Sequence, residues 1–194
     1  MRAKQAGQPA HLLLDIIDIL TGLSIPYAVV GALAVSYYGL PRFTNDADAV
    51  IWLPEPAAST NLKERLLAAG YEVKLSRGDQ EDPIGQVIII HDEFGNIVDL
   101  LSGVRGMDPA ASTRVHTALL LDGAVKFIAP EDLIAMKVFA GGVQDLADAR
   151  ATIEVSGSSL NRDLLRAVGE RYGRETSNEL DKLLQALDLG IDRA

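Results

Sequence analysis

The sequence predicts a mixed α/β core followed by a helical segment. Up to about residue 128, short apolar runs typical of buried strands alternate with stretches whose apolar residues have helical spacing. From Pro130 onward the apolar spacing is almost wholly helical. We therefore expect an α/β (α+β) core over residues 1–128 and a helical C-terminal segment over residues 129–194 that packs on the core.

The core elements follow from apolar spacing and from glycine and proline breaks. The spacing predicts helices over 11–22 and 56–70, each closed by a glycine, and a short helix over 33–38 that ends at 39–41. Strands are predicted at 26–30, 47–53, 71–75, 86–91, 96–101 and 124–128, and a polar loop at 76–83. The tetrapeptide Asp-Glu-Phe-Gly between two of these strands indicates a hairpin. C-terminal helices are predicted over 131–141, 143–154, 160–172 and 176–187.

Composition narrows the class of protein. The chain has 194 residues, 48% of them hydrophobic, enough for one sizeable core, and no cysteine, which excludes disulfides, thiolate zinc sites and cysteine nucleophiles. We expect a cytoplasmic protein with no membrane partner, because no apolar run is long enough to span a bilayer and the N-terminus lacks a signal-peptide core. The net charge of -9 disfavours a broad nucleic-acid surface.

Two carboxylates lie one residue apart where an apolar strand begins. Asp46 and Asp48 share a face of that strand while Ala47 points away. Neighbouring carboxylates repel each other unless a cation lies between them, and Mg2+ takes one or two carboxylates plus the phosphates of a substrate. The pattern therefore predicts a place for a metal-bound nucleotide.

A third carboxylate, Asp99, interrupts an apolar strand and needs a partner, because a buried unpaired charge is costly. If its strand lies beside the strand of Asp46 and Asp48, the three acids can hold two metal ions for an in-line displacement. Asp46 and Asp48 would then hold the metal on a triphosphate. Asp99 would hold the acceptor-side metal or accept the proton of the attacking hydroxyl. An arginine across the sheet is the alternative partner for Asp99.

Residues on either side of the acid pair fit the same interpretation. The turn Gly31–Ala32 opens a helix whose amides can face an anion, although it can also be an ordinary helix start. Arg42 can neutralise phosphate oxygens or serve as a structural partner of the acids. Thr44 can hydrogen-bond a carboxylate or cap a turn.

The pattern Gly31-Ala-x-Ala, Tyr38-Gly-x-x-Arg-x-Thr-x-Asp-x-Asp48 and the later Asp99 resembles the polymerase-β-type nucleotidyltransferase superfamily. Within it, the sequence is most similar to the small bacterial branch of AbiEii-like abortive-infection toxins and minimal nucleotidyltransferases. The segment with Lys137 and Asp145-x-x-Asp148 is also similar to that branch. The resemblance spans roughly residues 27–150.

The resemblance implies a nucleotidyltransferase-like mixed sheet flanked by helices, and transfer of a nucleoside monophosphate from an NTP such as ATP to a hydroxyl, with Mg2+ or Mn2+. It implies Asp46, Asp48 and Asp99 as metal acids, Gly31–Ala32 as the phosphate-facing turn and Lys137 near the triphosphate. The acceptor is left open among RNA such as tRNA, a protein and a small molecule. The branch also implies a toxin with an antitoxin partner.

One departure supports a second interpretation. The superfamily turn is usually Gly-Ser or Gly-Gly, and Ala32 offers no hydroxyl to a terminal phosphate, which costs about 1–3 kcal/mol of binding. The alternative is a catalytically weak or inactive relative that binds a nucleotide or a partner protein. For Lys137 an ordinary solvated role is the alternative, and Asp145 and Asp148 are expected as caps or arginine partners.

Overall fold

The computed structural model describes residues 1–39, 41–79 and 82–189. The predicted helix end at 39–41, the predicted loop at 76–83 and the predicted C-terminal segment each include residues outside these ranges. The α-helices are α1 (Pro9–Gly22), α2 (Gly31–Tyr37), α3 (Pro56–Ala68), α4 (Pro130–Ala140), α5 (Val143–Ser156), α6 (Arg162–Arg171) and α7 (Arg174–Leu189). The strands are β1 (Tyr27–Val30), β2 (Asp46–Ile51), β3 (Glu72–Arg77), β4 (Ile84–His91), β5 (Ile97–Val104), β6 (His116–Leu120) and β7 (Gly123–Phe127). Short 3-10 helices cover Pro109–Thr113 and Gly157–Ser159.

The strands form one mixed sheet in the order β3-β4-β5-β2-β1-β7-β6. β2 pairs with β5, and β1 with β7, in parallel, whereas the remaining neighbours are antiparallel. The predicted hairpin is therefore confirmed as β4–β5. The sheet and its flanking helices confirm the predicted α/β class with C-terminal helices.

Alternation of side chains along the central strands separates a buried face from a site-bearing face. Ala47 and Ala49 of β2, and Val98 and Leu100 of β5, are buried among core side chains. Helix α1 packs against β2 and β5, and α3 packs against α1 and β3. The intervening residues of β2 and β5 point to the opposite face. That face carries the acids discussed below.

A second apolar cluster lies within the C-terminal helices. α4 packs against α5, α6 and α7, and the cluster includes Ile134, Ile153 and Leu165. Met107 and Met136 are half-buried and pack against both clusters. Apolar contacts therefore join the C-terminal helices to the sheet beside α4. In the part of the chain that the structure describes, none of the helices has the length and apolarity needed to cross a membrane.

Three departures from the predicted elements are the clearest. Gly31 and Ala32 already belong to α2, so the predicted separate turn is wrong, and the change of direction occurs at Gly31 itself, whose φ is 61°. The predicted loop at 76–83 begins too early, because Ser76 and Arg77 pair with β4 and complete β3. Strand β6 was not predicted, because its own sequence indicates a strand only weakly. Antiparallel pairing with β7 supplies the hydrogen bonds that stabilise it.

Candidate active site

Three acidic side chains share one face of the sheet. In the parallel pair β2–β5, Asp48 lies opposite Asp99 and Asp46 lies opposite Ile97. Residues opposite each other in register point to the same face, so Asp46, Asp48 and Asp99 form a cluster on the face away from α1. The strand of Asp99 thus lies beside the strand of the acid pair, as a three-carboxylate site requires.

Burial and mutual repulsion act together on these carboxylates. Burial raises the pKa of Asp48 to about 6, the charges of Asp46 and Asp99 add to the shift, and Lys137 and Arg42 oppose it. Burial also raises the pKa of Asp99, again with a contribution from Asp46. The Oδ1 atom of Asp99 is buried and has no hydrogen-bond partner among the described residues. The cluster is therefore an anionic site whose charge the described side chains compensate only in part.

The donor set suits a hard divalent cation, because it consists of carboxylate oxygens, one of them buried and unpaired among the described residues. Within residues 1–39, 41–79 and 82–189, however, no three His, Cys, Asp or Glu side chains converge as the ligands of one metal ion. Mg2+ in nucleotide sites usually takes one or two carboxylates and completes its shell with phosphate oxygens and water. The carboxylates therefore suit a cation that binds together with a phosphate better than they suit a cation held by protein ligands alone.

Gly31 lies directly against the acid cluster. β1 ends at Val30, which pairs with Asp48, and α2 begins at the next residue. A Cβ on Gly31 would overlap the Asp48 carboxylate, with the Asp48 Cγ atom only 2.8 Å away. The positive φ and this close approach both require glycine. The first residue of α2 thus lies beside the carboxylate that is opposite Asp99.

Replacing Gly31 by alanine is expected to destabilise the fold by about 3 kcal/mol, from left-handed strain plus overpacking against Asp48. Urea unfolding measures the change. Gly7→Ala is the matched control, because Gly7 has φ 77° and, among the described residues, no atom lies within 4 Å of the position that a Cβ would take. The control should lose only the strain contribution, about 1–2 kcal/mol. Equal losses in both variants would show that contact with Asp48 contributes nothing.

Thr44 contacts the acid cluster directly. Its Oγ1 lies 2.5 Å from Oδ1 of Asp46 and 3.0 Å from the Asp46 carbonyl oxygen. The Asp46 amide in turn donates to Thr44 Oγ1 at 3.4 Å. The hydroxyl therefore fixes the orientation of the first acid at the start of β2, which is the carboxylate contact that the sequence offered as one of two alternatives.

Arg42 and Lys137 converge on a different carboxylate, Asp148 of α5, whose side chain is 0% exposed. Asp148 Oδ2 lies 2.9 Å from Arg42 Nη1 and 3.0 Å from Lys137 Nζ, and Gln144 Nε2 donates to Oδ1 at 2.9 Å. Lys137 also contacts Asp145 Oδ1 at 2.8 Å. This network ties the segment before β2 to α4 and α5.

The contacts of Asp148 and Lys137 decide between several interpretations that the sequence left open. Lys137 is largely buried, so an ordinary solvated role is wrong. Asp148 is an arginine partner, as expected, but its arginine is Arg42, while Arg150 pairs with Glu154. For Asp145 the expectation is wrong, because its cation is Lys137 rather than an arginine. The bridging position of Asp148 has no signal in the sequence. Lys137 and Asp48 line one cavity, which places this lysine near the acid cluster.

No protein-family model matches the sequence, and no curated protein matches it. Solved structures do. ANT(2'')-Ia in complex with adenylyl-2''-tobramycin superposes with a TM-score of 0.59 at 14% identity, over 84% of this chain and 98% of that chain. An antigenic nucleotidyltransferase-like protein from Paracoccidioides brasiliensis gives 0.56 at 20% identity, over 97% and 93%. The lincosamide antibiotic adenylyltransferase LnuA, bound to lincomycin, gives 0.51 at 12%, over 78% and 99%.

These structures share the nucleotidyltransferase fold over nearly their whole length, and this chain has that fold. The predicted nucleotidyltransferase-like fold is thereby confirmed. The narrower similarity to the AbiEii-like branch stays a prediction.

Proposed function

We propose that the chain transfers a nucleoside monophosphate from an NTP to a hydroxyl group of an acceptor. The observation that carries this proposal is the register of β2 and β5, which pairs Asp48 with Asp99 beside Asp46 on the open face of a nucleotidyltransferase fold. Such transfer needs little covalent participation by the protein, since positioning and charge stabilisation supply most of the catalysis. Two of the similar structures are named for adenylyl transfer or hold an adenylylated antibiotic, which supports the reaction class.

Each side chain has a role consistent with its contacts. Asp46 and Asp48 would hold Mg2+ on the triphosphate side and Asp99 on the acceptor side, and a bound Mg2+ would neutralise charge that develops on the phosphates. The unpaired Oδ1 of Asp99 can accept the proton of the attacking hydroxyl. The hydroxyl oxygen bonds to the α-phosphorus, the bond to the bridging oxygen breaks, and pyrophosphate leaves.

The cations remain available to phosphate despite their bonds to carboxylates. Lys137 has three N–H donors, and two of them point at Asp145 and Asp148. Arg42 contacts Asp148 through Nη1, and its side chain is one-third exposed. We propose that both contact the triphosphate, with Asp148 holding them at the wall of the site. Gly31 and Ala32 would place main-chain amides of α2 near the same phosphates.

Stability should depend on pH and Mg2+ through Asp48, which faces Asp46, Asp99, Lys137 and Arg42. Its raised pKa means that the folded state binds the proton more tightly than the unfolded state. Its contribution to stability is therefore present at low pH and is lost as the pH rises through about 6, a loss of about 3 kcal/mol. Mg2+ should consequently raise Tm more at pH 7.5 than at pH 5, where protons compete for the carboxylate.

Thermal unfolding at both pH values, with and without Mg2+, measures this effect. Asp48→Asn is the control, because the amide does not titrate and is a poor ligand, so its Tm should respond little to Mg2+ at either pH. A Mg2+ response that is the same at pH 5 and pH 7.5 would contradict the assignment of Asp48.

The reaction is tested with α-labelled NTPs, one at a time, incubated with Mg2+ and with the RNA, protein and small-molecule fractions of a lysate. We expect label on one fraction that depends on Mg2+ and on the three acids. The antitoxin partner stays a prediction, and co-purification tests it. Absence of label from every fraction would contradict transferase activity.

A second candidate function is nucleotide binding without transfer. Ala32 is buried and has no hydroxyl to offer a phosphate, and the described acids do not converge on one ion. NTP binding by thermal shift, combined with no label on any acceptor, would support this function over catalysis.

A further inference from the structure

A cavity of about 300 Å3 opens beside the acid cluster, between the site-bearing face of the sheet and α4. Gly31, Asp48 and Lys137 contribute to its lining near the proposed phosphate positions. The remaining wall is mostly apolar. It includes Ile84 of β4, Leu101 and Val104 of β5, and Met136 and Phe139 of α4. Its volume is at the lower end of the range for small-molecule sites.

The apolar wall adjoins the acid cluster along β5, the strand that carries Asp99, and Asp48, the register partner of Asp99, lines the cavity itself. Leu101 follows Asp99 by two residues on β5 and therefore shares its face, and Val104 continues the strand away from Asp99. Under the proposed function, Asp99 is the carboxylate nearest the attacking hydroxyl. A molecule whose hydroxyl lies at Asp99 can extend its body along β5 into the cavity.

The chemistry of the wall disfavours strongly polar occupants. Side chains of Ile84, Leu101 and Phe139 offer no hydrogen bonds, so a base edge or an amine placed there would lose its water without gaining a partner. Among the charged lining residues, Lys137 and Asp145 are joined at 2.8 Å, and Asp48 lies at the end of the cavity where the phosphates and the acceptor hydroxyl would meet. The apolar part of the wall therefore offers no partner to the charged groups of a polycation or a nucleic acid, and the net charge of -9 further disfavours a polyanion.

We propose that the acceptor is a neutral, hydroxyl-bearing small molecule whose apolar part occupies this cavity. The proposal rests on the proposed nucleotidyl transfer. In the step, the acceptor oxygen bonds to the α-phosphorus, the bond from that phosphorus to the bridging oxygen breaks, pyrophosphate leaves, and the hydroxyl proton passes to the Asp99 carboxylate.

The first test measures binding alone, with two probes that differ only in apolar length. Octyl β-D-glucopyranoside, below its micelle concentration, and methyl β-D-glucopyranoside carry the same sugar hydroxyls. Ligand-observed NMR should give an affinity at least about tenfold higher for the octyl compound, because several CH2 groups leave water. Equal affinities would overturn the proposal.

A matched pair of methionine variants locates the binding. Met136 and Met107 are both half-buried and pack against both core clusters, but of the two only Met136 lines the cavity. Met136→Gln should reduce the octyl preference to about threefold or less, and Met107→Gln should retain it. NTP affinity should be unchanged in both variants. Weaker NTP binding in Met136→Gln with an intact octyl preference would assign the cavity to the base and overturn the proposal.

The second test measures transfer of label from NTP to four acceptors: octyl glucoside, methyl glucoside, tobramycin as a polycation, and total RNA. Label on octyl glucoside in preference to the methyl compound is expected. Label on tobramycin or RNA but not on octyl glucoside would overturn the acceptor class while leaving nucleotidyl transfer intact. Selective octyl binding with no label on any acceptor would instead contradict the proposed function, and with it the acceptor role.

Discussion

Asparagine in place of Asp48 or Asp99 is expected to lower nucleotidyl transfer at least about a thousandfold. The substitution keeps the shape of the side chain but removes the charge that a divalent cation needs. For Asp99 it also removes the basicity of the buried group, because an amide oxygen accepts a proton far less readily than a carboxylate oxygen. Initial rates of label transfer, measured with the acceptor that the fractionation identifies, give the size of the loss.

The same variants should be at least as stable as the wild type, which separates loss of chemistry from loss of fold. Asp48 is half-buried, and its desolvation together with the charges of Asp46 and Asp99 raises its pKa to about 6, so removing its charge should increase the free energy of unfolding by about 1–3 kcal/mol at pH 7.5 without Mg2+. Asp122→Asn, an exposed acid between β6 and β7, is the control and should change neither quantity. An Asp48→Asn protein with more than about a tenth of wild-type activity would refute the assigned role.

The acid cluster could be predicted from the sequence because its signals are local. Side chains alternate between the two faces of a strand, so Asp46 and Asp48 share a face, and a lone carboxylate in an apolar strand predicts that Asp99 needs a compensating partner. The pairing of β2 with β5 then follows from the fold, and it brings the three acids together.

Features of the site that depend on tertiary contacts could not be predicted from the sequence in the same way. The glycine at 31 suggested a turn, but its requirement comes from the Asp48 carboxylate, which reaches it only through the β1–β2 register. The contact between Arg42 and Asp148 joins residues 106 positions apart. The apolar cavity likewise arises from the docking of α4 onto the sheet, since each of its apolar lining residues alone has the pattern of an ordinary core position.

Asp148→Ala is expected to destabilise the protein by about 3–5 kcal/mol, the typical cost of removing one partner from a buried ion pair. Its fully buried carboxylate receives Arg42, Lys137 and the Gln144 amide, so alanine would leave two cations facing each other across an apolar gap. The loss should also release the segment before β2 from α5, because no other ion pair of Arg42 is found among the described residues. Urea unfolding at neutral pH measures the change.

Asp145→Ala is the matched control, because it removes the same chemical group from the same lysine. Asp145 is about one-third exposed and, in the described part of the chain, contacts only one of the two cations, so its loss should cost less than about 1 kcal/mol. Asp148→Asn should fall between the two, since the amide oxygen can still accept from Gln144 while the charge is lost. Equal destabilisation by Asp145→Ala and Asp148→Ala would mean that burial of Asp148 and its bridge to Arg42 do not stabilise the site, and that Lys137 alone determines the energy of the network.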